Sequence, residues 1–284
     1  MNDKPIKIKD IDDDIVKNLE GFCLPKDKED DPFFIEGTSL WRRWMKENLK
    51  KFDTIGKVAY QDSEIIGSIQ YVPKSKPKLV EIKCVYAEDE RRRHEVKKAL
   101  LKETIKEFKK PKSYFGNTGA KALVAFPHPV PQDLGNATFY KTNGFKEISG
   151  NGYIFYYPLK KGYIFQQEEV KIPIEDLDKD KVMIYCNSSC PYCVKEMRDA
   201  LELIRDMNKD VPIKLVIPFE EPEKLSTVFS MPVCMVVGDE VIGYSLLKDE
   251  LFLKKLKTVL DSKYLPPTRK NESLNTKTAD EIPM

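Results

Sequence analysis

In the stretch Lys181 to Cys193, KVMIYCNSSCPYC, two cysteines stand in C-x-x-C spacing directly after a strand-like run. That spacing in that place reads as a thiol redox motif. Val182, Met183, Ile184 and Tyr185 form the expected short buried strand, and Asn187, Ser188 and Ser189 the turn after it. Beyond Pro191 the apolar residues Val194, Met197, Leu201, Ile204 and Met207 recur every three or four positions, the period of an amphipathic helix. Cys190 then falls at a helix N-terminus, where unpaired N–H groups and the helix dipole favour the thiolate. Pro191 suits the first turn. Half a zinc site, or a pair of inert buried thiols, is the bland alternative for Cys190 and Cys193, but zinc needs two further ligands, and the two histidines, His94 and His128, lie in the other half of the chain. Cys186 is either a third redox partner or a small apolar residue ending the strand, and Cys234 reads as core.

A chain of 284 residues accommodates two domains, and 41% hydrophobic residues suffice for both cores. Lys and Arg number 48 against 46 Asp and Glu, a net charge of +2, so no global charge points to nucleic acid or an anionic membrane. No apolar run approaches the roughly 20 residues of a membrane span, and MNDKPIKIKDIDDD does not read as a signal peptide. Six cysteines in this length do not make a disulfide scaffold. The expected setting is cytoplasmic and reducing, where a C-x-x-C is more often catalytic than structural.

Ile6 and Ile8 alternate ahead of an acidic stretch and GFCLPKDKEDDPFF, in which Cys23 reads as a buried small residue. Thr38 is expected to cap a helix carrying Leu40, Trp41, Trp44, Met45 and Leu49, with the tryptophans in the core or lining a cleft. Strands follow at Lys57 to Tyr60 and Ile65 to Val72, joined by a turn at Gln61 to Glu64. A third strand alternates Val80, Ile82, Cys84 and Tyr86 with Leu79, Glu81, Lys83 and Val85, which predicts one clearly apolar face. Then come a helix with Val96, Ala99, Leu100, Ile105 and Phe108, a loop at Lys109 to Gly119, a strand at Ala122 to Phe126, and a proline-rich connection. A helix from Asn136 to Asn143 closes on Gly144 and precedes a strand at Tyr153 to Tyr157. Such an order gives an α/β (α+β) layered fold around a central sheet. Charge rises and periodicity fades between Leu159 and Asp180, and the tail after Tyr264 has too few apolar residues to pack.

Strand, C-P-Y-C, helix and the later SMPVCMVVGDEVIG resemble the thioredoxin superfamily, with a glutaredoxin flavour from Pro191 and Tyr192. The resemblance implies a cis proline opposite the cysteine pair, matched by Pro232, and a hairpin at Gly238-Asp239. The glycine pair and acidic residue that glutaredoxins use on glutathione are replaced around Gly243, Tyr244 and Ser245.

Residues 5 to 158 resemble the GNAT superfamily of N-acetyltransferases. NATFYKTNGF, Asn136 to Phe145, is similar to its last helix and turn; IIGSIQYVP is similar to the strand that usually carries a glycine, here Gly67; and IKCVYAEDERRRHEVKKALL aligns with the strand, pyrophosphate loop and helix that bind acetyl-CoA. The whole chain resembles acetyltransferases with a YoaP-like, thioredoxin-fold C-terminal domain. This implies a GNAT-like domain at 1–160, a linker at 161–180, a thioredoxin-like domain at 181–263 and a disordered tail at 264–284.

The resemblance also implies roles. The backbone around Cys84, Val85 and Tyr86 would hold the pantetheine arm and the thioester carbonyl, and the segment Arg92, Arg93, His94, Glu95, Val96, Lys97 would receive the pyrophosphate. Tyr140 matches the general acid that protonates the departing thiolate, Asn136 a residue beside the cofactor, and Glu81 is the candidate general base. His128 could reach the cofactor's far end or serve no such purpose. Where the family reads R/Q-x-x-G-x-G/A, both glycines are missing, so side chains crowd the loop and the Glu95 carboxylate opposes a diphosphate, while Arg91, Arg92 and Arg93 invite an anion or pair with Glu88, Asp89 and Glu90. The implied activity is acetyl-CoA-dependent transfer to an amine of a small molecule or protein, with Cys190 and Cys193 serving thiol redox or a thiol-bearing partner. The alternative is a non-catalytic GNAT-fold binding module joined to a thiol-disulfide oxidoreductase domain.

Overall fold

The computed structural model describes residues 5–127, 137–148, 154–166, 175, 178–217, 233–237, 240–243 and 250–264. The expectations for His128, Asn136, Pro232, Gly238, Asp239, Tyr244, Ser245 and the tail after Tyr264 therefore lie outside the described residues. Two compact units divide the chain. The first comprises Met1–Ile172 with Cys186–Lys195 and Ile217–Pro232, and the second Pro173–Tyr185, Glu196–Val216 and Val233–Met284.

The first unit is built on a seven-stranded sheet. Its strands are β1 (Lys7–Asp10), β2 (Gly56–Gln61), β3 (Glu64–Lys74), β4 (Leu79–Ala87), β5 (Ala122–Ala125), β6 (Lys146–Glu147) and β7 (Phe155–Pro158), in the order β1-β2-β3-β4-β5-β7-β6. Only β4 and β5 run parallel; the other described pairs are antiparallel. Four helices accompany it: α1 (Asp13–Asn18), α2 (Pro32–Leu49), α3 (Arg93–Phe108) and α4 (Ala137–Thr142). On one side of the sheet α3 buries Val96, Leu100, Leu101 and Phe108 against Ile69, Tyr71, Val80, Ile82 and Val85, with Phe139 and Tyr140 of α4 in the same core. A separate core holds Ile15 and Val16 of α1, Trp41, Trp44 and Met45 of α2, and Val58 and Val72 of the sheet.

Helix α2 starts seven residues earlier than Thr38 would place it. Asp31 is its cap, its carboxylate accepting from the Phe33 N–H at 2.9 Å, and Pro32 opens the first turn. The early start carries Phe34, Gly37 and Thr38 onto the buried face beside Trp41 and Met45, a run at helical spacing. Strand β4 also departs from simple alternation. Gln70 pairs with Cys84 and Tyr71 with Ile82, so Lys83 is an extra residue in a β-bulge. Val80 and Ile82 enter the α3-side core before the bulge, Val85 and Ala87 after it. Leu79 and Glu81 are buried as well, so β4 is covered on both faces instead of presenting one apolar face. Such covering is expected of a central strand.

The second sheet contains β8 (Val182–Cys186), β9 (Ile213–Val216), β10 (Val233–Val237) and β11 (Glu240–Gly243) in the order β11-β10-β8-β9. Strands β8 and β9 are parallel, and β10 and β11 form an antiparallel pair. Helix α5 (Pro191–Met207) follows β8, and α6 (Glu250–Tyr264) follows β11. In this unit Asp178, 3% exposed, accepts ion pairs from Lys181 and Lys214, each at 3.0 Å. Among the described residues no helix is long and apolar enough to cross a membrane.

Candidate functional site

At the site β4 runs on beyond the end of its parallel neighbour β5. Among the described residues β5 pairs with β4 only from Leu79 to Ile82, while β4 continues to Ala87 with β3 on its other side. Alternate backbone N–H and C=O groups between Lys83 and Ala87 thus face the side of β5, where no strand pairs with them among the described residues, and backbone groups of this kind demand partners. The bulge at Lys83 lies where the pairing with β5 ends, as bulges beside functional sites often do.

Helix α3 begins beyond the far end of this open edge. Its cap, Arg92, makes no side-chain hydrogen bond to the helix backbone, and the first-turn N–H groups have no acceptor within the helix. The Arg92 guanidinium donates to Gln61 Oε1 at 2.8 Å and to both carboxylate oxygens of Glu95, at 3.1 and 3.2 Å. That pairing lowers the Glu95 pKa, through the hydrogen bond first. Arg93 reaches the Ala87 carbonyl at 3.4 Å and pairs with Glu90 at 3.6 Å. His94 lies edge-on to Phe139, with the ring centroids 6.1 Å apart. Val96 and Lys97 are buried, Val96 in the core and the Lys97 ammonium 5.5 Å from the centre of the Phe139 ring. Of the six residues expected around an anion, Arg92 to Glu95 lie at the helix start, whereas Val96 and Lys97 turn inward.

Gly67 explains how the helix comes so close to the strand. A Cβ there would lie 2.6 Å from Val96 Cγ1 and 2.8 Å from the Tyr86 carbonyl oxygen. No other residue type leaves that space.

Tyr140 is 4% exposed and packs against Phe145 and Phe155. Burial pushes its hydroxyl well above the ordinary tyrosine range, and a negative charge on nearby Cys84 would push it further. At neutral pH it is a proton donor, not an acceptor. Glu81 is 1% exposed, not the exposed strand carboxylate that its position allows. Its carboxylate is engaged by Lys83 at 2.6 Å and Lys74 at 3.6 Å. The Lys83 ammonium is buried, which lowers its pKa; Glu81 works in the opposite direction, as would a Cys193 thiolate.

Beside the bulge lies a narrow pocket with a cavity volume of about 20 Å³, open to solvent, on the side of β3 and β4 that carries α2. Trp41, Gln70 and Cys84 line it together with Cys23, Cys190 and Pro191. Trp41 is thus both core and wall: its indole N–H donates to Gln70 Oε1 at 3.0 Å. Cys23, expected to be buried, is half-buried here. The segment Cys190 to Cys193 is held against α2. Tyr192 stacks edge-on upon Phe34, with centroids 5.0 Å apart, and a Cβ on Gly37 would come within 2.9 Å of both Cα and O of Pro191. Cys190 is half-buried at the start of α5, and Cys193 and Cys186 are buried. Among the described residues no cluster of His, Cys, Asp and Glu is arranged to hold a metal ion.

No protein-family model matches the chain, and no curated protein does so either. Solved structures that it resembles include PaiA N-acetyltransferase from Thermoplasma acidophilum in complex with coenzyme A, at 19% identity and a TM-score of 0.37 over 54% of this chain and 96% of the other. A GNAT-family acetyltransferase from Staphylococcus aureus Mu50 is similar at 18% identity and a TM-score of 0.40, covering 55% of this chain and 100% of its own. The aminoglycoside 6'-N-acetyltransferase from Enterococcus faecium is similar at 14% identity and a TM-score of 0.38, covering 56% and 99%.

Sequence reasoning did not find the convergence of Cys23, Cys84 and Cys190 on one pocket. They come from three separate stretches with no spacing to connect them. A usable signal was Gly37, placed one helical turn after Phe34 on the buried face of α2, where a missing side chain announces a close neighbour.

Proposed function

We propose that this chain is an acetyl-CoA-dependent N-acetyltransferase that acts on an amine of a small molecule or protein. The observation that carries the reading is the edge of β4 from Lys83 to Ala87, which among the described residues pairs with no strand on the β5 side, together with the start of α3 and the buried Tyr140. A pantetheine arm is a chain of amides, and an unpaired strand edge offers it alternating donors and acceptors. The backbone of Cys84, Val85 and Tyr86 would hold that arm. The N–H groups of the first turn of α3 would take the diphosphate, favoured by the helix dipole and by Arg92 and Arg93. Glu95 does not oppose this strongly, because its charge is already paired with Arg92. The missing loop glycines are offset by Gly67, which provides from the strand side the close approach of helix to sheet.

When bound, acetyl-CoA supplies the acetyl group as an activated thioester. Tyr140, kept protonated by burial, would donate its proton to the departing sulfur. Glu81, through water, would accept a proton from the attacking amine. Asn136, outside the described residues, keeps its proposed place beside the cofactor. The strand order of the second sheet, β11-β10-β8-β9, supports a thioredoxin-like domain at 181–263 after a linker at 161–180. We read its Cys190 and Cys193 as a thiol pair toward a thiol-bearing partner, in a cytoplasmic setting.

The test is thermal unfolding of the full chain with acetyl-CoA, followed by assay of CoA release across a panel of amines. Saturation at about a hundred times Kd stabilises the folded state by about 2.7 kcal/mol. No rise in Tm at millimolar acetyl-CoA contradicts the reading. Binding without transfer to any amine favours the non-catalytic alternative.

A further inference from the structure

Three thiols share the pocket beside the β4 bulge, and the acetyl-transfer steps above use only the backbone of one. Cys23 comes from the loop after α1, Cys84 from the bulge and Cys190 from the residue before α5. The pocket opens on the strand position assigned to the thioester, which is where an acceptor must arrive. The chain's own Cys190 already stands there. It is fixed by the residues that follow it, Pro191 against Gly37 and Tyr192 against Phe34. These contacts form a built-in wall of the pocket.

The three thiols are not equivalent. Burial pushes the Cys84 thiol up to about 12, and the Cys23 thiol is raised first of all for the same reason. Both stay protonated at neutral pH. Cys190 directly precedes a 17-residue helix, whose N-terminal N–H groups stabilise a thiolate. It is therefore the thiol of the three with a local feature that favours ionisation.

We infer that Cys190 is an acyl-accepting nucleophile, carrying the acetyl group as a thioester before it passes to the amine. The inference rests on the acetyl-CoA reading and adds a covalent step to it. Cys190 loses its thiol proton to solvent, and its Sγ forms a bond to the acetyl carbonyl carbon. The bond from that carbon to the CoA sulfur breaks, the sulfur keeps the electron pair, and Tyr140 gives it a proton that solvent then restores. The acceptor amine later attacks S-acetyl-Cys190, forming the amide and returning the thiol. No oxidant or reductant is consumed. The kinetic signature is ping-pong.

The experiment incubates the reduced full-length protein with acetyl-CoA and no amine, then measures intact mass and maps the peptides. One acetyl group is expected on Cys190, removable by neutral hydroxylamine, with one equivalent of CoA released. Labelling should be about a hundredfold faster than in the same protein unfolded in urea, as an oriented nucleophile requires. C190S should gain no acetyl group while keeping the Tm rise with acetyl-CoA. If that variant does not fold, the wild-type peptide map decides alone. A Tm rise without an acetyl group, an acetyl group on Cys23 or Cys84, or one resistant to hydroxylamine overturns the inference and leaves cofactor binding standing. No Tm rise removes the acetyl-CoA reading, and the inference with it.

Discussion

Replacing Gly67 with alanine tests whether α3 must sit this close to β4. The added methyl would meet Val96 Cγ1 at 2.6 Å and the Tyr86 carbonyl oxygen at 2.8 Å. The carbonyl is backbone in β4 and is fixed by the pairing of Gly67 with Ala87, so the strand has little freedom to retreat. Overpacking of this kind costs about 1–3 kcal/mol, and alanine recovers about 0.5–1 kcal/mol through its lower chain entropy. The net loss is about 1–2 kcal/mol, or roughly 2–8 °C in Tm for a unit of this size. Because the first turn of α3 is displaced, affinity for acetyl-CoA should fall as well. Chemical denaturation and thermal unfolding of G67A, V96A and the double variant measure the effect. The double variant should be more stable than the sum of the singles by more than about 0.5 kcal/mol, since V96A removes the colliding methyl group. A G67A protein as stable as wild type, or strictly additive effects, would refute the packing argument.

Tyr140→Phe should lower turnover by about a hundredfold with acetyl-CoA affinity unchanged, because only the proton donor is lost; equal turnover removes Tyr140 from the mechanism. In alkylation with iodoacetamide, Cys190 should react first and below the roughly 8.5 of a free thiol, while Cys84, pushed up to about 12, stays unmodified at pH 8. Gly37→Ala drives a methyl group into Pro191 and should speed alkylation of Cys190 by loosening the segment that holds it; an unchanged rate would show that this contact does not restrain the thiol. Hydrogen bonds from Lys214, then Lys181, hold Asp178 at about 2. Its folded pKa is depressed, so its contribution is full above the unfolded value near 4 and lost as pH falls from there toward 2. The shift corresponds to about 2 kcal/mol, reduced to about 1 by solvent screening at the ammonium ends, because the Lys181 and Lys214 side chains are 37% and 30% exposed. Urea titrations of D178N should show that deficit at pH 7 and its narrowing below pH 4, and a deficit independent of pH would refute the linkage.

Periodicity located most of the strands and helices because each buries one face or ends on a marked residue. The run after Pro191 fits its helix, with Val194, Met197 and Ile204 buried. The start of α2 was missed because Phe33 to Gly37 reads as a continuation of the acidic loop, and only the Asp31–Pro32 cap reveals the helix. The β4 bulge was not legible because a single inserted residue leaves alternation looking intact on either side, yet it exchanges the faces beyond Lys83. The two-residue strand β6 is too short for periodicity to register. For the site, Tyr140 and the start of α3 came from motif resemblance, whereas the burial of Glu81 depends on Lys74 and Lys83, which no pattern in the sequence joins to it. The three-thiol pocket is a product of tertiary folding alone.

The central claim is that the open edge of β4 and the first turn of α3 hold acetyl-CoA. Amide hydrogen exchange read by mass spectrometry, with and without saturating acetyl-CoA, tests it most directly, because the N–H groups of that edge are the proposed contacts. Peptides spanning Lys83 to Lys97 should gain protection while those of β8 and β9 remain unchanged. Unaltered exchange from Lys83 to Lys97 at saturating acetyl-CoA, or protection confined to another part of the chain, would contradict it.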